Sequence, residues 1–196
     1  MQQVVDFYFD VGSPASYLAW TQLPALCRQA GAQLVYKPML LGGVFQATGN
    51  TSPATVPAKG RYMNRDLARF ARRYGVPLGT NPYFPINTLQ LMRAISGMQV
   101  RDPARFEALL TTVFHAMWVD VRNMNDPAVV AEALAAGGCA PADSFALVND
   151  PEVKARLKTT TEEAVQRGVF GAPTVFVGDE MFFGQDRLDF VREALA

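Results

Sequence analysis

The sequence predicts an α/β protein assembled as βαβ, a large all-helical insertion, and ββα. Three observations carry this prediction. The run Val4–Phe9 is dense in Val, Phe and Tyr, as strands are, and is followed by a helix start and a second strand. The far end, residues 166–196, reads strand, strand, helix. Between them the hydrophobic pattern is helical. The chain divides on this reading into 1–45 plus 166–196 and an inserted block, 46–165. Its 196 residues, 49% hydrophobic and 18% charged, suit one domain with an insertion and exclude global disorder.

The elements follow in order. After the first strand, Asp10-Val11-Gly12 stops the run, and Ser13-Pro14 opens a helix with Ser as N-cap and Pro at the first helical position. That helix extends to Gly31, with Pro24 inside it as an expected kink. Residues 33–37 form the second strand. A helix is expected over 61–74, stopped by Gly75 and Pro77, and another from a cap at Asn87 to Gly97. Asp102-Pro103 opens the next. Phe106, Leu109, Leu110, Val113, Phe114, Met117 and Trp118 recur on one of its faces at the 3.6-residue period. Asp126-Pro127 and Asp150-Pro151 open two more. The three Asp-Pro starts are evenly spaced, but the segments after them do not match, so no repeat is inferred. Residues 175–177 and 181–183 flank the turn Gly178-Asp179 as a hairpin, and 187–195 forms the last helix. A sheet fed by βαβ at one end and a hairpin at the other, with helices packed on it, is the thioredoxin-like plan.

Charge and cysteine content narrow the chemistry. Eighteen basic side chains balance eighteen acidic ones, so nucleic acid is not the expected partner. Two cysteines, Cys27 and Cys139, and one histidine, His115, exclude a disulfide framework and leave no metal site expected. The uncharged stretch 38–58 is interrupted by Gln46, Asn50, prolines and glycines, and is not a membrane span. No signal peptide is read at the N-terminus, and a cytoplasmic location is expected.

Three signals could carry function. Ser13 and Ser16 stand where thioredoxin-like redox proteins have Cys-x-x-Cys, at the N-terminus of the first helix. The helix end that stabilises an anion is retained without the sulfur, so disulfide exchange at this site is excluded. Ser13 is then free to donate to a thiolate brought by a ligand, or is simply an N-cap. Phe170-Gly171-Ala172-Pro173-Thr174 precedes the third strand, where such folds place a cis-proline whose neighbouring backbone pairs with a peptide. Pro173 can equally be an ordinary trans proline. Gly184-Gln185-Asp186-Arg187 opens the last helix. Asp186 either holds an ammonium group or caps the helix. Together the three describe a site for a small thiol peptide.

These residues resemble the 2-hydroxychromene-2-carboxylate isomerases and the related kappa-class glutathione transferases of the DsbA-like thioredoxin superfamily. The resemblance runs through Phe7-Tyr8-Phe9-Asp10, Ser13-Pro14-Ala15-Ser16-Tyr17-Leu18-Ala19, Gly49-Asn50, Val56-Pro57-Ala58-Lys59, the Ala172-Pro173 segment and Phe183-Gly184-Gln185-Asp186-Arg187-Leu188. It implies glutathione as cofactor, Ser13 as the activating residue, and Asn50, Ala172, Pro173, Gln185 and Asp186 as glutathione contacts. It implies a homodimer, and an isomerase that interconverts 2-hydroxychromene-2-carboxylate and trans-o-hydroxybenzylidenepyruvate by thiolate addition, bond rotation and elimination. Ala172 is smaller than the aliphatic residue usual in the kappa-like branch, which widens the site. A kappa-like transferase or peroxidase and a non-catalytic thiol-binding module are the alternatives.

For the substrate carboxylate, Lys59 is the first candidate, with Asn81 and Asn87 as polar neighbours. Each also has a plainer reading: Lys59 as a solvated side chain, Asn81 as a turn residue beside Pro82, Asn87 as a helix cap. Tyr83, Phe84 and Trp118 are read either as an aromatic pocket or as packing. His115 lies at the edge of an apolar stripe and reads as an ordinary helix residue.

Overall fold

Strand β1 (Val4–Phe9) sits second in a four-stranded mixed sheet. It pairs in parallel with β2 (Gln33–Pro38) and antiparallel with β3 (Thr174–Val177), which pairs antiparallel with β4 (Glu180–Phe183). The order is therefore β2-β1-β3-β4, the βαβ and ββα halves meeting at the β1–β3 seam. The computed structural model describes residues 2–196.

The period-two alternation of β1 sorts its side chains between two cores. Val5, Phe7 and Phe9 face the main core, with α1 (Pro14–Ala30) and α5 (Pro103–Trp118). Tyr8 faces the opposite side, a smaller core with Met39, Val44, Ala164, Val169 and Phe176. That side is covered by α2 (Leu41–Thr48) and α8 (Pro151–Gln166). The Tyr8 hydroxyl donates to Glu163 at 2.8 Å, and Arg167 reaches Asp6 at 2.7 Å while its guanidinium lies 3.8 Å from the Phe176 ring centroid. Burial pushes the Tyr8 phenol up to about 12, so it stays a neutral donor here.

The helical block contains α3 (Pro57–Tyr74), α4 (Leu89–Arg101), α5, α6 (Pro127–Ala136) and α7 (Pro141–Asn149), and runs into α8. All seven apolar residues of the α5 stripe are buried. The block does not form a core of its own. Phe114 lies 6.0 Å from Phe9, and the Trp118 indole N–H donates to the Val11 carbonyl at 2.8 Å. The last helix, α9 (Leu188–Ala194), follows a 3-10 turn at Gln185–Arg187.

Several boundaries differ from the sequence expectation. Helix α3 starts at Pro57, four residues before the position expected, with no side-chain cap to mark it. Helices α2 and α7 were not expected at all. Neither has a side-chain N-cap, and α2 begins with Leu-Gly-Gly, a poor helix start. Helix α1 runs unbroken through Pro24 to Gly31, whose φ of 66° closes it.

Helix α4 continues past Gly97 to Arg101. Gly97 is there for proximity, not termination: a Cβ on it would lie 2.9 Å from Leu147 Cβ and 3.0 Å from Val153 Cγ2. Gly97→Ala is therefore expected to force α4 away from α7 and α8 and to cost about 1–3 kcal/mol, despite alanine's better helix propensity. Denaturant unfolding measures this; a stabilised variant would remove the close-packing account.

Candidate active site at the start of helix α1

The site is built where β1 ends. Asp10, at the end of the strand, is 1% exposed and accepts three hydrogen bonds. These come from Gly12 N–H at 2.8 Å, Leu41 N–H at 2.8 Å and the Thr88 hydroxyl at 3.0 Å. One carboxylate thus ties the turn before Ser13 to the starts of α2 and α4. Burial raises its pKa against the lowering effect of these donors. In the sequence Asp10 reads only as part of the stop after the first strand and of the family-like segment. Its one trace in the sequence is an acid directly after the three aromatic residues that end the strand.

Ser13 follows, 6% exposed and in extended backbone conformation. Its Oγ accepts from Ser16 N–H at 3.1 Å, which makes it the N-cap. The same hydroxyl donates to the Ala172 carbonyl at 2.9 Å. Cap and candidate donor are therefore one group, and its proton points to the next part of the site. The Ala172-Pro173 peptide bond is cis, and the Pro173 carbonyl accepts from Gly184 N–H at 3.0 Å. That bond brings the turn 184–187 beside Pro173. The φ of 100° at Gly184 suits glycine, and a Cβ there would lie 2.5 Å from Asp186 Oδ1. Asp186 pairs with Arg187 at 2.6 Å, and the Gln185 carbonyl accepts from the Tyr74 hydroxyl at 2.6 Å.

Asn50 enters from the other side. Gly49, with φ of 71°, ends α2 and turns the chain toward the proline loop. Asn50 Nδ2 then donates to the Phe170 carbonyl at 2.8 Å. Ser13, Asn50, Ala172, Pro173, Gln185 and Asp186 line one cleft of about 350 Å³, with Phe45, Tyr62, Met63 and Asp66. The first turn of α1 also lines it, so the positive end of the helix dipole faces the cleft. A second lobe of about 200 Å³ adjoins it, sharing Pro14, Met63, Leu67 and Phe84. Leu78, Asn81 and Trp118 line that lobe.

The proposed substrate residues fare differently. Asn81 is buried, with Nδ2 donating to the Met117 and Arg122 carbonyls at 2.8 and 3.0 Å and Oδ1 accepting from Tyr83 N–H at 2.9 Å. Both its amide protons are used, so it is the turn residue rather than a free substrate contact. Asn87 is exposed, accepts from Leu89 N–H at the start of α4, and lines a different cavity. Lys59 is exposed in the first turn of α3 and is not among the lining residues. Helical spacing sets it on the side of α3 that carries Tyr62 and Met63. Phe84 and Trp118 line the second lobe, whereas Tyr83 is half exposed and lines neither lobe. His115 is exposed and packs on Trp20, 6.2 Å between ring centroids. Tyr62, Met63 and Asp66 are not among the residues that the sequence singles out; α3 is strongly polar.

The thiols are elsewhere. Cys27 and Cys139 are both free and buried, and burial pushes the Cys27 thiol up to about 11, which leaves it unreactive at neutral pH. No cluster of metal-binding side chains forms among the described residues, and none of their helices is long and apolar enough to cross a membrane.

Fold and site together define a thioredoxin-like protein with serine at both redox positions of the active helix. The DSBA-like thioredoxin domain model matches residues 4–196. A 2-hydroxychromene-2-carboxylate isomerase of Sphingobium xenophagum is 35% identical over 200 residues, covering 100% of this chain and 99% of that protein. A glutathione S-transferase kappa 2 of Caenorhabditis elegans is 29% identical, covering 100% and 92%. A solved structure of a 2-hydroxychromene-2-carboxylate isomerase superimposes with a TM-score of 0.85 at 31% identity, over 98% of this chain and 94% of that one. The chain belongs to the DSBA-like thioredoxin family and, within it, to the 2-hydroxychromene-2-carboxylate isomerase family.

Proposed function

We propose that this protein is a glutathione-dependent isomerase that interconverts 2-hydroxychromene-2-carboxylate and trans-o-hydroxybenzylidenepyruvate. The observation that carries the reading is the single cleft shared by Ser13, the start of α1, the Ala172 carbonyl and Asp186. These groups fit a small thiol peptide. A helix N-terminus and a hydroxyl face one region, a main-chain acceptor sits beside a cis-proline, and an Asp–Arg pair matches an amino-acid end.

Bound there, glutathione supplies the thiolate that adds reversibly to the conjugated double bond. The protein's own groups then have defined tasks. Ser13 turns its proton from the Ala172 carbonyl toward the sulfur, while still accepting from Ser16 N–H. The Ala172 carbonyl, released by that rotation, accepts from the ligand's main chain. Asp186 takes the ammonium and Arg187 the carboxylate of the amino-acid end. The second lobe, between Phe84 and Trp118, receives the aromatic ring, and Lys59, on the side of α3 that carries Tyr62 and Met63, meets the substrate carboxylate. A homodimer and a cytoplasmic location belong to the same reading; the two unpaired, buried thiols are compatible with a reducing compartment.

The test is isomerisation of trans-o-hydroxybenzylidenepyruvate followed by absorbance, with free thiol assayed before and after. Turnover that saturates with glutathione and leaves thiol unchanged is the expected result. Stoichiometric loss of thiol would assign the site to the transferase or peroxidase reading, and binding without turnover on any acceptor to a non-catalytic module. Asp186→Asn is expected to weaken glutathione binding about fivefold, as for an exposed ion pair. Asp186 makes no side-chain cap bond to the last helix, so the cap reading does not hold. Calorimetric titration measures the affinity, and an unchanged value would leave Asp186 as the partner of Arg187 alone.

A further inference from the structure

We propose that the helical block holds a second binding site, for a small neutral cyclic molecule that carries one hydroxyl or carbonyl oxygen. A cavity of about 320 Å³ lies between α4, α5, α6 and α7, away from the Ser13 cleft and sharing no lining residue with it. Its walls are apolar, with Leu91, Leu109, Val113, Val130, Leu134 and Phe145 among them. No charged side chain lines it. That is the lining for an apolar body of one or two rings, and it disfavours a carboxylate or an amine, which would be desolvated without a partner.

One wall is different. Ser144 lines the cavity, is 1% exposed, and its Oγ makes no hydrogen bond among the described residues. A helical serine usually disposes of its proton on the carbonyl four residues back. Here the Ala140 carbonyl accepts the Ser144 backbone N–H at 3.3 Å and not the hydroxyl. A buried hydroxyl without a partner costs about 1–3 kcal/mol, so an oxygen delivered into the cavity gains what the fold leaves unmet. Amides mark the mouth. Asn87 N–H donates to Asn125 Oδ1 at 2.9 Å, and both residues are exposed and line the cavity with Gln90. The ligand therefore enters between the start of α4 and the loop before α6, with its oxygen toward Ser144.

A matched pair of probes tests this, 2-indanol and indane, titrated into the full chain carrying labelled Leu and Val methyl groups. The expected result is saturable shifts centred on Leu91, Leu109, Val113, Val130 and Leu134 with both probes. Ser144→Ala should weaken 2-indanol about three- to tenfold and leave indane unchanged or tighter. Val130→Phe, which fills the cavity, should abolish both. Shifts that never saturate, shifts centred on Leu41 and Leu67 of the Ser13 cleft, or an equal effect of Ser144→Ala on the two probes would each overturn the proposal.

Discussion

Ser13→Ala is expected to lower kcat about 10²–10³-fold at saturating glutathione, the usual effect of removing one preorganised donor to a developing or resident anion. The fold should survive. Alanine loses the bond from Ser16 N–H, an N-cap contribution of about 1 kcal/mol, and the main-chain scaffold around Pro173 is held by other bonds. Kinetics and thermal melting on the same preparation separate the two effects. A rate within a few-fold of the parent, with the cap penalty visible, would reduce Ser13 to a structural residue. The double use of its hydroxyl makes this substitution informative. On the proposed mechanism, the proton that rests on the Ala172 carbonyl is the one the reaction needs.

Asp10→Ala should produce the largest loss of stability. Two main-chain N–H groups and one hydroxyl lose their acceptor inside the protein, a cost of about 2–4 kcal/mol after the relief of burying a carboxylate. For a chain of this size that lowers Tm by about 5–15 °C. The damage is directed at the site, because Leu41 begins the helix that delivers Asn50, and Gly12 precedes Ser13. The carboxyl also carries a pH dependence whose sign is fixed by burial. Its folded pKa is raised, so the native state binds the proton more tightly than the unfolded chain, where the value is about 3.9. The contribution of Asp10 is therefore fully present below the unfolded value and declines as pH rises through the folded one. The stability deficit of Asp10→Asn, read from denaturant unfolding across the acid range, should shrink over that interval. A deficit that grows with pH would mean that the hydrogen bonds, not burial, dominate.

The legible parts of the molecule were those written in local chemistry. Ser13-Pro14 marks a helix start through its own cap and proline. The Gly178-Asp179 hairpin and the stripe on α5 follow from turn preference and periodicity. The order of Ser13, Ala172-Pro173 and Asp186 along one plan predicted residues that do line one cleft, although they are far apart in the chain. What could not be read depends on partners distant in sequence. Helix α2 has no cap of its own; Asp10 supplies the acceptor at Leu41 from thirty-one residues away. Gly97 looks like a stop until α7 and α8 lie against it. Asn81 and Asn87 are polar residues near the expected substrate region, yet a buried asparagine satisfied by two carbonyls and a helix-capping one leave the same trace in sequence as a ligand contact.

On the proposed mechanism, a serine at the head of α1 does for a borrowed thiol what that helix position does for a protein cysteine. Titrating the ultraviolet absorbance of the thiolate in the glutathione complex tests it directly. The bound thiol is expected to ionise well below the ordinary thiol value of about 8.5, and to move back toward it in Ser13→Ala. A bound thiol that ionises at the free value in the parent protein would contradict the account.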